Sequence, residues 1–193
     1  MLHTTFNKAK QAEACVESYK KLAKHLGGVR TYGADTPIPL DVILESNGIK
    51  DAIWALRCTI EDSTAISRLF AVDCAEHVLP IYEAKYPNDK RVRVCIETTR
   101  RYLAGKASLA ELRTAADTAY YAAKVANAIY AGYAADAAYY AADAAKTSYF
   151  ATYAKSAYYT ASKATSSAAA EREWQTELFL EILRESQACR FPL

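Results

Sequence analysis

The sequence predicts an all-α protein, a compact multi-helix bundle whose C-terminal half is an alanine- and tyrosine-rich helical repeat tract. Three observations predict it. A short motif recurs at a spacing of 19 residues, as Asp117-Thr118-Ala119-Tyr120-Tyr121, Asp136-Ala137-Ala138-Tyr139-Tyr140 and Lys155-Ser156-Ala157-Tyr158-Tyr159, inside an alanine-rich stretch from Ala115 to Ala170. Alanine is the strongest helix former, and no proline stands between Pro87 and Pro192. Upstream of the tract, apolar residues return every three or four positions, the period of a helix buried on one face. At 193 residues the chain is long enough for a sizeable core, and its length favours one domain over two. The expected single domain spans residues 1 to 193, with aliphatic-core helices over 1 to 105. Residues 106 to 193 hold the alanine- and tyrosine-rich helices and an amphipathic C-terminal helix.

The first helix is expected from about Thr5 to Leu26, with Phe6, Ala9, Ala12, Val16, Tyr19, Ala23 and Leu26 near helical spacing and Gly27 placed to end it. Gly28 to Pro39 reads as a loop. A short helix follows over Leu40 to Glu45, Asn47-Gly48 turns the chain, and Ile49 to Cys58 forms another helix. Asp62 or Ser63 is placed to cap a helix whose apolar face is Ile66, Leu69, Phe70, Cys74, His77, Val78 and Ile81. Pro80 should break or kink it. Pro87-Asn88-Asp89 marks a turn, and Val92, Cys95, Ile96, Thr99 and Leu103 give the buried face of the next helix. Gly105 closes that helix, and Ser108-Leu109-Ala110-Glu111 is a capping box that opens the repeat tract.

The repeat spacing constrains the tract. Five helical turns take about 18 residues, so each repeat rotates its equivalents by roughly 100° on a straight helix. One unbroken helix over the tract would reach on the order of 80 Å and expose many phenol rings. Breaks are therefore expected near Gly132, Thr147-Ser148 or Ser166-Ser167, folding the tract into two or three packed helices. The chain should end in an amphipathic helix from about Glu171 to Gln187, carrying Trp174, Leu178, Phe179, Ile182 and Leu183.

Charge excludes some functions. A net charge of +2 gives no electrostatic case for DNA or for a membrane surface, and no apolar run is long enough to span a bilayer. Locally, residues 41 to 83 carry eight acids against three bases, whereas Lys90, Arg91, Arg93, Arg100, Arg101, Lys106 and Arg113 face only Asp89, Glu97 and Glu111. That basic segment is either a solvated face neutralised by its acidic neighbour or a docking site for phosphate or an acidic partner. The five cysteines (Cys15, Cys58, Cys74, Cys95 and Cys189) form no CxxC pair, and no signal peptide precedes His3. Reduced thiols in a cytoplasm are expected.

No catalytic constellation emerges, so the chain is expected not to be an enzyme and to need no cofactor. Asp73 and His77 lie four apart on an apolar stripe and read as a structural polar pair, with Arg57 or Arg100 as the partner a buried carboxylate needs. Cys74-x-x-His77 offers two metal ligands where structural zinc wants four, so no metal is expected. The ten tyrosines between Tyr120 and Tyr159 exceed what one small helical core takes up. Some should line a groove or surface, where tyrosine serves protein interfaces and also stacks on nucleobases. The candidate ligand-binding residues are Tyr120, Tyr121, Tyr139, Tyr140, Tyr158 and Tyr159, with Arg91, Arg93, Arg100 and Arg101 for phosphates.

Three segments carry a resemblance. Trp54-Ala55-Leu56-Arg57 is followed by Arg68-Leu69-Phe70-Ala71-Val72-Asp73-Cys74-Ala75-Glu76-His77-Val78-Leu79-Pro80-Ile81-Tyr82-Glu83 and then Tyr86-Pro87-Asn88-Asp89-Lys90-Arg91. This pattern is similar to a family of bacterial and phage proteins labelled putative immunity proteins, of the polymorphic-toxin type, over roughly residues 49 to 170. Arg68, Asp73, Cys74 and Glu76 match it, and His77 stands where an arginine is expected. The resemblance implies stoichiometric neutralisation of a protein toxin or immune effector inside a bacterial host cell, and supplies no catalytic residues. The residues themselves leave two further readings open, a sponge for a nucleotide-derived immune signal and a structural homo-oligomer.

Overall fold

A computed structural model describes residues 1 to 188. Among these the fold is all-α, with eleven helices and a single two-stranded ribbon. The residues group into two compact units, Met1–Ile66 together with 179–188, and Ser67–Leu178.

The first unit begins with β1 (His3–Thr4), α1 (Phe6–Gln11), α2 (Val16–His25) and α3 (Val29–Tyr32). It continues through β2 (Ile38–Pro39), α4 (Leu40–Asn47), α5 (Ile49–Ala55) and a 3-10 turn over Leu56–Cys58. The strands pair antiparallel, His3 with Pro39 and Thr4 with Ile38, where a loop was expected. The long first helix is instead two. Thr5 caps α1 by accepting the Lys8 N–H, and the chain turns through Glu13 in the left-handed region at φ 60°. Nothing in the sequence marks this break, because a left-handed glutamate carries no glycine or asparagine signature. Gly48, at φ 95°, ends α4 and begins α5, which is the conformation the Asn47-Gly48 turn requires. Phe6, Ile38, Leu40, Ile53, Leu56 and Phe179 are fully buried.

The second unit is built from α6 (Thr64–Lys85), α7 (Arg91–Leu103), α8 (Leu109–Val125), α9 (Ile129–Lys146), α10 (Phe150–Ala164) and α11 (Ala168–Ala188), the first and last counted within Ser67–Leu178. Pro80 does not break α6. Proline frees the carbonyl four residues back, and here both Pro80 and Glu76 face solvent, where water satisfies it. The predicted capping box forms, with Ser108 Oγ accepting the Glu111 N–H and Glu111 accepting the Ser108 N–H. The tract does fold into packed helices, but its first break falls at 126 to 128 rather than at Gly132, which lies inside α9. The other two breaks fall beside Thr147-Ser148 and Ser166-Ser167.

Alanine makes the unit tight. On α9, Ala131, Ala134, Ala135, Ala137, Ala138, Ala141, Ala142, Ala144 and Ala145 are all buried, so neighbours approach its backbone directly. The Cys95 thiol on α7 reaches the Ala138 carbonyl at 3.5 Å, and Arg68 Nε on α6 donates to the Ala144 carbonyl at 3.2 Å. Small side chains trade hydrophobic area for close dispersion contact.

Candidate functional site

The three repeat copies land on α8, α9 and α10, one copy per helix. Their burial deepens along the series. Tyr120 and Tyr121 on α8 are exposed, Tyr139 and Tyr140 on α9 are half-buried, and on α10 Tyr159 is half-buried while Tyr158 is fully buried. Tyr158 is thus a core residue, and burial pushes its phenol up to about 12. The rings of the first two copies form a ladder. Centroids of Tyr121 and Tyr120 lie 5.7 Å apart, Tyr120 and Tyr139 5.4 Å, and Tyr139 and Tyr140 5.2 Å. Tyr140 then stacks on Tyr153 of α10 at 6.3 Å. These are the separations at which aromatic rings satisfy one another. Lys124 Nζ sits 5.0 Å over the Tyr120 ring and Lys146 Nζ 5.9 Å from the Tyr139 ring. Lys146 also pairs with buried Asp143 at 2.6 Å. Burial, and then Asp143, raises the Tyr139 phenol, and burial followed by Asp136 raises that of Tyr140.

Apolar side chains face outward next to the ladder. At the end of α8 Tyr121 is 62% and Val125 67% exposed, and at the start of α9 Ile129 is 66% exposed with Tyr130 beside it. Tyr121 and Val125 are one helical turn apart and share a face.

Each candidate arginine already holds a carboxylate. Arg91 grips Asp89 at 2.5 Å, and Arg93 pairs with Glu83 at 2.6 Å. Arg100 bridges Asp73, at 2.6 Å, and Glu76 through a shorter contact, while Arg101 meets Glu111 at 3.2 Å. The Asp89 carboxyl is held well below its usual range, chiefly by the Arg91 guanidinium. The polar partner of Asp73 is therefore Arg100. Arg57, the other expected partner, donates to the Trp54 carbonyl at 3.2 Å and lies 5.0 Å over the Trp54 ring.

Asp73 and His77 do not lie buried on the apolar stripe as expected: Asp73 is half-buried and His77 exposed. His77 packs on Trp174 with centroids 3.6 Å apart, and its Nδ1 lies 3.7 Å from Glu171 Oε2. Asp73, Glu76, His77, Trp174 and Leu178 line a hollow of about 300 Å³. Behind it runs a buried polar chain: Ser162 Oγ donates to Gln175 Oε1 at 2.8 Å, and Gln175 Nε2 donates to Glu171 Oε1 at 3.1 Å. Burial pushes the Glu171 carboxyl up to about 7, while burial lowers the imidazole of His77. The sequence did carry a signal for this chain, since Glu171, Gln175 and Phe179 are spaced by four along the buried side of α11.

Cys74 is buried, its thiol raised well above the usual value by burial, and Cys58 and Cys95 are buried too. Cys15 is exposed, and Cys189 lies outside the described residues. Among the described residues no three His, Cys, Asp or Glu side chains are grouped as a metal site, and no helix is long and apolar enough to cross a membrane.

Residues 53 to 182, more than half of the chain, match the family model described as Imm-5 like putative immunity protein. No curated protein and no solved structure matches the chain.

Proposed function

The chain belongs to the Imm-5 like immunity protein family, and from that premise we propose that it neutralises a protein toxin by stoichiometric binding, without chemistry of its own. The observation that carries this reading is the outward run of Tyr120, Tyr121, Val125, Ile129 and Tyr130. Large apolar groups exposed together are a cost in water that a partner removes, and tyrosine supplies stiff contact area with a polar tip. The same geometry speaks against a nucleotide-derived ligand. The ladder rings already pack on one another, and Arg91, Arg93, Arg100 and Arg101 already hold carboxylates, so base and phosphates would both have to displace protein contacts.

Growth rescue tests it. Bacteria expressing members of a toxin-domain collection, each with or without this chain, should be protected against a particular toxin. The Tyr121→Ala/Val125→Ala variant should lose that protection while keeping its melting temperature, because both side chains are exposed. Protection against none of the toxins, together with a small molecule absorbing near 260 nm released from denatured protein, would favour the sponge instead.

A further inference from the structure

We propose that the groove between the α6–α7 turn and α8 receives an acidic, partly apolar segment of the protein partner. This rests on the toxin-binding reading and names the chemistry of that partner. The groove is open to solvent, has a volume of about 810 Å³ and is lined by Lys85, Tyr86, Lys90, Arg91, Val94 and Thr118 among others. Its charge is positive after the internal pairs are counted. Asp89, its one acidic lining residue, is cancelled by Arg91 through contacts from both Nε and Nη2. That leaves the two lysines. The Lys85 side chain makes no hydrogen bond or ion pair among the described residues, and Lys90, well exposed, pairs at 4.0 Å with Glu83, which it shares with Arg93.

The wall of the groove is also cross-tied, and most of its surface is apolar. The Tyr86 hydroxyl donates to Asn127 Oδ1 at 2.6 Å and accepts the Asn127 N–H at 2.9 Å, tying the turn to the α8–α9 connection. The Tyr82 hydroxyl donates to Asp89 Oδ2 at 2.7 Å from below. A site fixed before binding spends little ordering entropy on its ligand. Val94 is exposed on the α7 side, and Thr118 stands one turn before Tyr121 on α8, which puts the groove's Thr118 on the same helix face as an outward tyrosine. Lys85, which holds no carboxylate, and Lys90, which shares Glu83 with Arg93, lie with exposed Val94 on one groove and call for carboxylates interleaved with aliphatic or aromatic side chains. A phosphate polymer would use the charge and leave Val94 uncovered.

Selection of a displayed library of random peptides on the full chain tests this. The expected winners are rich in Glu and Asp with interspersed apolar residues, and bind K85E/K90E at least about tenfold more weakly, with a loss that salt reduces. Val94→Asp should weaken the same peptides without reversing the lysine charges. Neutral or basic winners, winners indifferent to K85E/K90E, no enrichment, or displacement of the peptide by inorganic polyphosphate at lower concentration would each overturn the proposal. The two readings fail separately. If K85E/K90E still protects cells where Tyr121→Ala/Val125→Ala does not, the groove assignment falls and toxin binding stands. If acidic peptides bind as expected but the chain protects against no toxin, the reverse holds.

Discussion

Glu171 sits 5% exposed between Gln175 and the His77 ring, with its carboxyl near 7 rather than at the 4.5 of an ordinary glutamate. Burial penalises its charged form, and among the described residues no cation within hydrogen-bonding distance compensates. The folded state therefore binds this proton more tightly than the unfolded chain. Stability from that proton is complete below about pH 4.5 and is lost as pH rises through about 7. Glu171→Gln should raise stability at pH 8 by on the order of 1 to 3 kcal/mol and flatten the melting-temperature profile between about pH 5 and 8. An unchanged profile would show that Glu171 stays charged in the fold. Its neighbour gives a second expectation. Gln175→Leu strands Ser162 Oγ and Glu171 Oε1 without partners and should cost about 1 to 3 kcal/mol in chemical denaturation. Asp73 and Arg100 are more open to water, and Asp73→Ala should cost at most about 1 kcal/mol.

Helices α8, α9 and α10 were legible as helices because alanine content and the 19-residue repeat both state them. Their ends were legible only where chemistry marks them. Ser108 and Glu111 announce the start of α8 by a reciprocal pair of hydrogen bonds, and Ser108→Ala should cost about 1 kcal/mol. The Ala126–Ala128 break has no such mark. It is pinned by Tyr86 on Asn127, a contact 41 residues away in sequence, whereas Gly132 packs inside α9 with the Ala123 carbonyl 3.6 Å from where its Cβ would stand. The Glu13 turn escaped for the same reason, since local propensity favours helix there. Close alanine packing has its own consequence: Ala138→Leu forces a larger side chain against the backbone contact with Cys95 and should destabilise by about 1 to 3 kcal/mol, read from urea midpoints.

At the scale of the molecule, sequence periodicity identified the all-α class and an excess of tyrosine, and the segment around Asp73 pointed to the immunity protein family that the comparison over residues 53 to 182 identifies. It did not tell which tyrosines face outward. That depends on how three repeat copies rotate onto three helices, which leaves Tyr121 open to solvent and Tyr158 sealed in the core. Nor did it show that the basic helix spends its arginines on carboxylates from α6, from the turn before α7 and from α8, which leaves Lys85 as the groove cation that holds no carboxylate. The most direct test of toxin neutralisation through the α8–α9 surface is calorimetric titration of the chain with the toxin it protects against. A stoichiometric heat of binding is expected, weakened at least about 30-fold in Tyr121→Ala/Val125→Ala, as for residues at the centre of an interface. An identical titration curve for that variant, or no heat with the toxin while a nucleotide signal binds, would contradict it.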